Sequence, residues 1–196
     1  MTILVCPLSQ AMSVVAARVP ERIVSLLDPD FTFPDFGSGY ADRHLRIRLH
    51  DVQLTTGDQV VPAARHITAL LTFLGDWTRT APLLIHCRAG IGRSPAAAFV
   101  AACFCNPRTD EFEIAQALRI ASPVARPNEA LIELADVAMG RCGRMREAIA
   151  ATGRGLLWPE VDEGASFELP AIFQPNQALQ AIPIPNRDRA GQLTGL

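Results

Sequence analysis

The sequence predicts an α/β fold, a central and mainly parallel sheet flanked by helices, and three observations carry that expectation. Short apolar runs at residues 3–7, 22–27, 44–51 and 82–87 have strand character, and a stretch of helical character follows several of them. Helical patterns dominate after the last of these runs, as they do where crossover and packing helices cover a parallel sheet. Finally, 49% hydrophobic against 19% charged residues in a chain of 196 is enough apolar material for one real core, with none of the high-charge signature of disorder.

Each element has a local reason. Residues 3–7 form an apolar run, and Ser9 is placed to cap a helix continuing through Ala11, Val14, Val15 and Ala17. Arg22–Leu27 reads as a buried strand. Residues 28–39 hold Pro29, Pro34, Gly37 and Gly39 together with Phe31, Phe33 and Phe36, a loop apolar enough to wall a site. From 44 to 51 the period is two: Leu45, Ile47 and Leu49 share one face, His44, Arg46, Arg48 and His50 the other. A Thr-Thr-Gly-Asp turn leads into a long helix expected over 58–78, with Pro62 in its first turn. Residues 82–87 return to a buried strand. A glycine-bearing loop and an Ala-rich helix to about Cys105 follow, then helices over 109–120 and 128–139, a stop at Gly140 and a shorter helix. Beyond Gly153 prolines 159, 170, 175, 183 and 185 break any periodicity. The expected organisation is a body at 1–153 and a tail at 154–196, strapped onto the body through Leu157, Trp158, Phe167, Ile172 and Phe173.

Composition excludes several functions. The net charge is −2, so no broad cationic field recruits nucleic acid or an anionic membrane. All 18 basic residues are arginine, which removes chemistries needing a lysine amine: Schiff-base and pyridoxal-phosphate enzymes and P-loop kinases. Five irregularly spaced cysteines, Cys6, Cys87, Cys103, Cys105 and Cys142, favour a reducing, cytoplasmic setting. The first residues lack the charge and uninterrupted apolar stretch of a signal peptide, and no apolar run approaches the roughly 18 residues of a membrane span.

The chemistry concentrates at His86-Cys87-Arg88-Ala89-Gly90-Ile91-Gly92-Arg93-Ser94, between a buried strand and a helix. Backbone N–H groups from Arg88 to Arg93 can curl around one point, with Gly90 and Gly92 permitting close approach, and that point lies at a helix N-terminus. Such a cradle binds an anion and favours a thiolate at Cys87. Arg93 supplies a planar fork suited to two phosphate oxygens, Ser94 a hydroxyl for the sulfur, and His86 a ring that fixes the loop.

This H-C-x-x-G-x-x-R-S run resembles the signature of cysteine-based protein tyrosine and dual-specificity phosphatases, and the resemblance extends over about residues 23–138. It implies a metal-free, cofactor-free hydrolysis of phosphomonoesters through a phosphocysteine at Cys87, with Asp51 as the acid that protonates the leaving oxygen and then the base on water. Asp58 is the alternative acid, with helix capping its blander duty. The implied substrates are phosphorylated proteins or small phosphomonoesters. Alternatives are inositol phosphates, phosphoinositides and RNA 5′ ends, the lipid reading weakened by neutral Ile91, and a catalytically weak module that only captures phosphorylated partners. A sulfurtransferase or an arsenate reductase also uses a cysteine anion loop, but the His-Cys pair and trailing Arg-Ser suit phosphate better. Simpler roles are expected elsewhere: core packing for Cys103 and Cys105, inert thiols at Cys6 and Cys142 unless one reaches Cys87 to form a disulfide, surface or strand-face positions for His44, His50 and His66, solvated or paired Arg46 and Arg48, and a helix cap at Asn128, which also lies where a rim contact could arise.

Overall fold

A computed structural model describes residues 1–53, 57–153, 155 and 162–174. Five strands, β1 (Thr2–Pro7), β2 (Arg22–Leu27), β3 (His44–Arg48), β4 (Leu83–Cys87) and β5 (Phe167–Pro170), form one sheet in the order β3-β2-β4-β1-β5. The first four are parallel, and β5 runs antiparallel to β1, with Ile3 opposite Leu169. The fold is therefore α/β with a mainly parallel sheet. Strand β4 sits centrally, so the strand that ends in Cys87 is buried along its whole length.

Helix α1 (Leu8–Arg18) covers one face, where Ala11 packs with Leu4, Cys6, Ile23 and Leu84. The opposite face carries α2 (Ala64–Gly75), α3 (Arg93–Cys105), α4 (Glu111–Ala121), α5 (Glu129–Ala138) and α6 (Arg144–Ala151), whose apolar sides join one large core. Helix α3 runs through the middle of that core. Every residue from Arg93 to Cys103 is buried, and its alanines let neighbouring helices and the sheet approach on all sides while Phe99 fills the space between them.

Three boundaries differ from expectation. Helix α1 starts at Leu8 rather than after a Ser9 cap, because the Ser9 hydroxyl is taken by the Glu163 carboxylate. Helix α2 starts at Ala64 rather than 58, so Pro62 precedes it. Val60 accepts from the His50 backbone N–H and donates its own N–H to the His50 ring, and Val61 is held out of helical conformation by the following proline. Strand β3 ends at Arg48, although Leu49 still donates its N–H to Leu27. The strand at 167–170 has no counterpart in the sequence reading. Its pattern is too short and proline-bounded to announce a strand, and it forms because β1 presents an open edge. Among the described residues no helix is long and apolar enough to cross a membrane.

Candidate active site

The loop between β4 and α3 turns its carbonyls outward. Arg88 O accepts from Leu8 N at 3.1 Å, Ala89 O from Gly164 N at 2.8 Å, Ile91 O from Arg126 N at 2.8 Å and Gly92 O from Asn128 N at 3.2 Å. A planar peptide points its N–H opposite its C=O, so the N–H groups of Ala89, Gly90, Gly92 and Arg93 face the inside of the turn. Gly90 N–H donates to Cys87 Sγ at 3.2 Å, and Ser94 Oγ lies 3.1 Å from the same sulfur. Gly90 adopts φ +72°, and a side chain there would crowd the backbone of Cys6 and Pro7 at 3.0–3.3 Å, so only glycine serves. The result is an anion cradle around a buried thiol at a helix N-terminus.

Arg93 is 3% exposed, and its guanidinium is held from outside the loop. One terminal nitrogen donates to Asp28 Oδ1 at 2.9 Å and to the Leu49 carbonyl at 2.6 Å, and the other reaches Asp28 Oδ2 at 3.4 Å. Its Nε has no hydrogen-bond partner among the described residues and lies 4.0 Å from Asp51 Oδ2. A buried donor without a bond is costly unless a ligand completes it, and an oxyanion in the cradle would do so. Asp28 was absent from the sequence reading; its only sequence signal is its place at the carboxyl end of a parallel strand, where ligand sites of such sheets gather.

Asp51 lies against the loop: a methyl group built on Gly92 would overlap its carboxylate. Its Oδ1 accepts from Asn128 Nδ2 at 2.8 Å, and the same amide reaches Val52 O at 3.2 Å. Asn128 is 3% exposed and does cap α5, its Oδ1 accepting from Leu131 N at 3.0 Å, but it also joins that cap to the loop between β4 and α3 and to the Asp51 segment. His50 closes the base of the Asp51 segment, its N–H donating to Val60 O at 2.8 Å while its Nδ1 accepts from Val60 N at 2.9 Å. Asp58 is exposed. Thr55 and Thr56, the first two residues of the expected Thr-Thr-Gly-Asp turn, lie outside the described residues, as does Leu54.

His44 and His66 are not surface residues. Both are buried, His66 reaching back to Ala63 N at 3.1 Å at the start of α2. His44 and His86 flank Ser25, whose Oγ is 2.6 Å from the Nε2 of each ring. One hydroxyl has one proton, so one imidazole donates to Ser25 and the other accepts from it, which ties the tautomer of His86 to that of His44. Burial pushes His86 down to about 4, with His44 adding to the shift and the Cys87 backbone opposing it. Burial also lowers His44 to about 4, Arg46 acting in the same direction and Asp35 against. The phenylalanines of the 28–39 loop cover this chain and the rim: Phe36 packs edge-on against both rings, Phe33 stacks with Arg48, and Phe31 lies 5.0 Å from the Arg88 guanidinium.

The five cysteines are unpaired. Cys6 sits beside the site, and burial, then Cys87, then Glu163, push its thiol up to about 12. It packs in the α1-side cluster while Cys87 packs in the other core, so the two side chains leave the sheet on opposite faces and no disulfide joins them in this conformation. Among the described residues no group of three His, Cys, Asp or Glu side chains is placed to hold a metal ion.

Residues 44–124 match the protein-tyrosine phosphatase family model. The structure is similar to that of DUSP15, with a TM-score of 0.52 at 17% identity over 76% of this chain and 88% of that one. It is similar to a human tyrosine phosphatase-like serine/threonine/tyrosine-interacting protein, at 0.53 and 20% over 70% and 91%. It also resembles the Yvh1 phosphatase domain from Chaetomium thermophilum, at 0.51 and 17% over 71% and 91%. At these identities the likeness is one of fold. No curated protein sequence matches the chain significantly.

Proposed function

We propose that this chain, a protein-tyrosine-phosphatase-like hydrolase by its family match and fold, cleaves phosphomonoesters through a phosphocysteine at Cys87. The observation that carries the reading is the sulfur itself: Cys87 Sγ receives the Gly90 N–H and the Ser94 hydroxyl inside a turn whose peptide N–H groups converge on one point. The thiolate attacks phosphorus, a P–S bond forms as the P–O bond breaks, and Asp51 gives its proton to the departing oxygen. Water then attacks the phosphocysteine, Asp51 takes back a proton, and inorganic phosphate leaves as the thiolate is restored. Arg93 Nε and the inward N–H groups hold the equatorial oxygens through both steps, where charge builds in the transition state. Asp28 and the Leu49 carbonyl keep the guanidinium aimed.

The preferred substrates are phosphorylated proteins, phosphotyrosine among them, since the Phe31 ring beside Arg88 gives the rim an aromatic surface. The alternative substrates are inositol phosphates, phosphoinositides and RNA 5′ ends, which a panel at matched concentration separates by kcat/KM. A reducing, cytoplasmic setting suits a catalytic thiol. The decisive experiment is hydrolysis of an aryl phosphate in excess chelator with vanadate as inhibitor. Turnover that vanadate blocks and Cys87→Ser abolishes supports the mechanism; activity surviving Cys87→Ser, or requiring added divalent metal, defeats it. One structural relative is described as an interacting protein, which makes phosphopeptide capture without turnover the second reading. Calorimetric binding of a phosphopeptide by a protein that releases no phosphate would select it.

A further inference from the structure

The phosphate loop is held in part by a segment outside the family-matched region. Residues 162–174 return to the body by several independent contacts: β5 adds to the free edge of β1, Glu163 and Glu168 accept from Ser9 and Arg18 of α1, and Asn106 binds Ala171 O at 2.9 Å and Phe173 N at 2.9 Å. This places Gly164 directly behind the loop, its N–H on Ala89 O at 2.8 Å, with room for a methyl group at 3.4 Å or more from Gly90 O and Ile91 Cγ1.

The bond matters because of what lies at the other end of the same peptide unit. Ala89 C=O and Gly90 N–H belong to one plane, and that N–H points to Cys87 Sγ at 3.2 Å. Gly90 is at φ +72° and lacks a Cβ, so rotating the 89–90 peptide meets less resistance there than at any other residue type. A rotation would withdraw a donor from the sulfur and turn a carbonyl toward the anion.

We propose that Gly164 is a positioning residue for the nucleophile: by anchoring the Ala89 carbonyl from the C-terminal strap, it holds the Gly90 N–H on the Cys87 thiolate and keeps the cradle open to oxyanions. This rests on the phosphatase reading of the loop. The titratable and polar groups that the neighbouring elements bring to the site are Cys6 on β1, Asp28 after β2 and Asp51 after β3, both against Arg93, His86 on β4, Arg88 in the loop, and Arg93 and Ser94 on α3, with Ser94 bonded to the sulfur and Glu163 of the strap acting on Cys6.

The test compares three full-length proteins with wild type: Gly164→Ala, which keeps the N–H, Gly164→Pro, which removes it, and a chain with glycolic acid in place of Gly164, which replaces only the N–H by an ester oxygen. The readouts are vanadate inhibition and the pH dependence of Cys87 alkylation by iodoacetamide, read by peptide mass. The expected result is vanadate binding about three- to tenfold weaker, the loss of one hydrogen bond, and an alkylation profile displaced to higher pH in the proline and ester proteins, with alanine like wild type. Equal vanadate affinity and superimposed profiles across all four overturn the proposal. A wild-type protein that neither turns over an aryl phosphate nor binds vanadate overturns the phosphatase reading instead.

Discussion

Two carboxylates meet Arg93 and differ in duty. Asp28 grips the guanidinium with 14% of its side chain exposed, whereas Asp51 stands 4.0 Å from Nε, 40% exposed, with one oxygen held by Asn128. Only the second is substantially open to solvent, as the proposed acid must be. Asp51→Asn should therefore lower kcat for a phosphotyrosine peptide by about 10²- to 10⁴-fold, with Asp58→Asn at wild-type rate; the reverse order would move the acid role to Asp58. For Asp28→Asn the expected result is vanadate binding weakened roughly ten- to a hundredfold, since a charge-assisted hold on Arg93 is lost, and unchanged inhibition would show that the Leu49 carbonyl suffices. Cys87, Arg93 and Ser94 were legible because they stand in one short run. Asp51 was legible through its place after a strand. Asp28 and Ser25 were not, since their partners lie 65 and 61 positions away in sequence and meet only where β2 pairs with β4.

At the scale of elements, the loop between β4 and α3 packs closely because the pieces around it are glycine-thin where they touch. Gly92→Ala should push the Asp51 carboxylate aside while leaving the sulfur in place, so kcat on a poor leaving group should fall as in Asp51→Asn with the Cys87 alkylation rate retained. Loss of both would mean the whole loop had moved. The helix that begins at Arg93 depends on its buried side. Phe99→Ala removes its largest fully buried residue and is expected to cost about 3–5 kcal/mol in urea denaturation, against under about 1.5 kcal/mol for a volume-conserving Phe99→Leu or Met. Strand β2 and the helices from α3 to α5 were readable to within a few residues from apolar periodicity. The start of α2 was not, because the His50 and Val60 pairing that delays it is a contact between residues ten apart rather than a local preference.

The whole molecule carries its histidines in a way that sets an acid limit. His44 and His86 are held at about 4 against an ordinary 6.5, so the unfolded chain binds protons in that window and the folded one does not. Stability is full above about 6.5 and falls as pH drops toward 4, then levels as far as these two groups are concerned. Urea midpoints at pH 7, 5.5 and 4.5 should show this decline, with a shallower one in His44→Gln; parallel curves would remove the buried pair as its cause. The sequence by itself determined the fold class, the buried strand at 82–87 and the nine-residue run that holds Cys87, because those depend on period, apolar runs and neighbours in the chain. Only the tertiary structure decided that Asp28 holds the Arg93 guanidinium, that Asn128 braces Asp51, and that a strand near the carboxyl end brings Gly164 against the loop. Those are contacts between distant segments. They follow from which strands lie side by side and which edge is left open, and no local pattern of residues encodes an open edge.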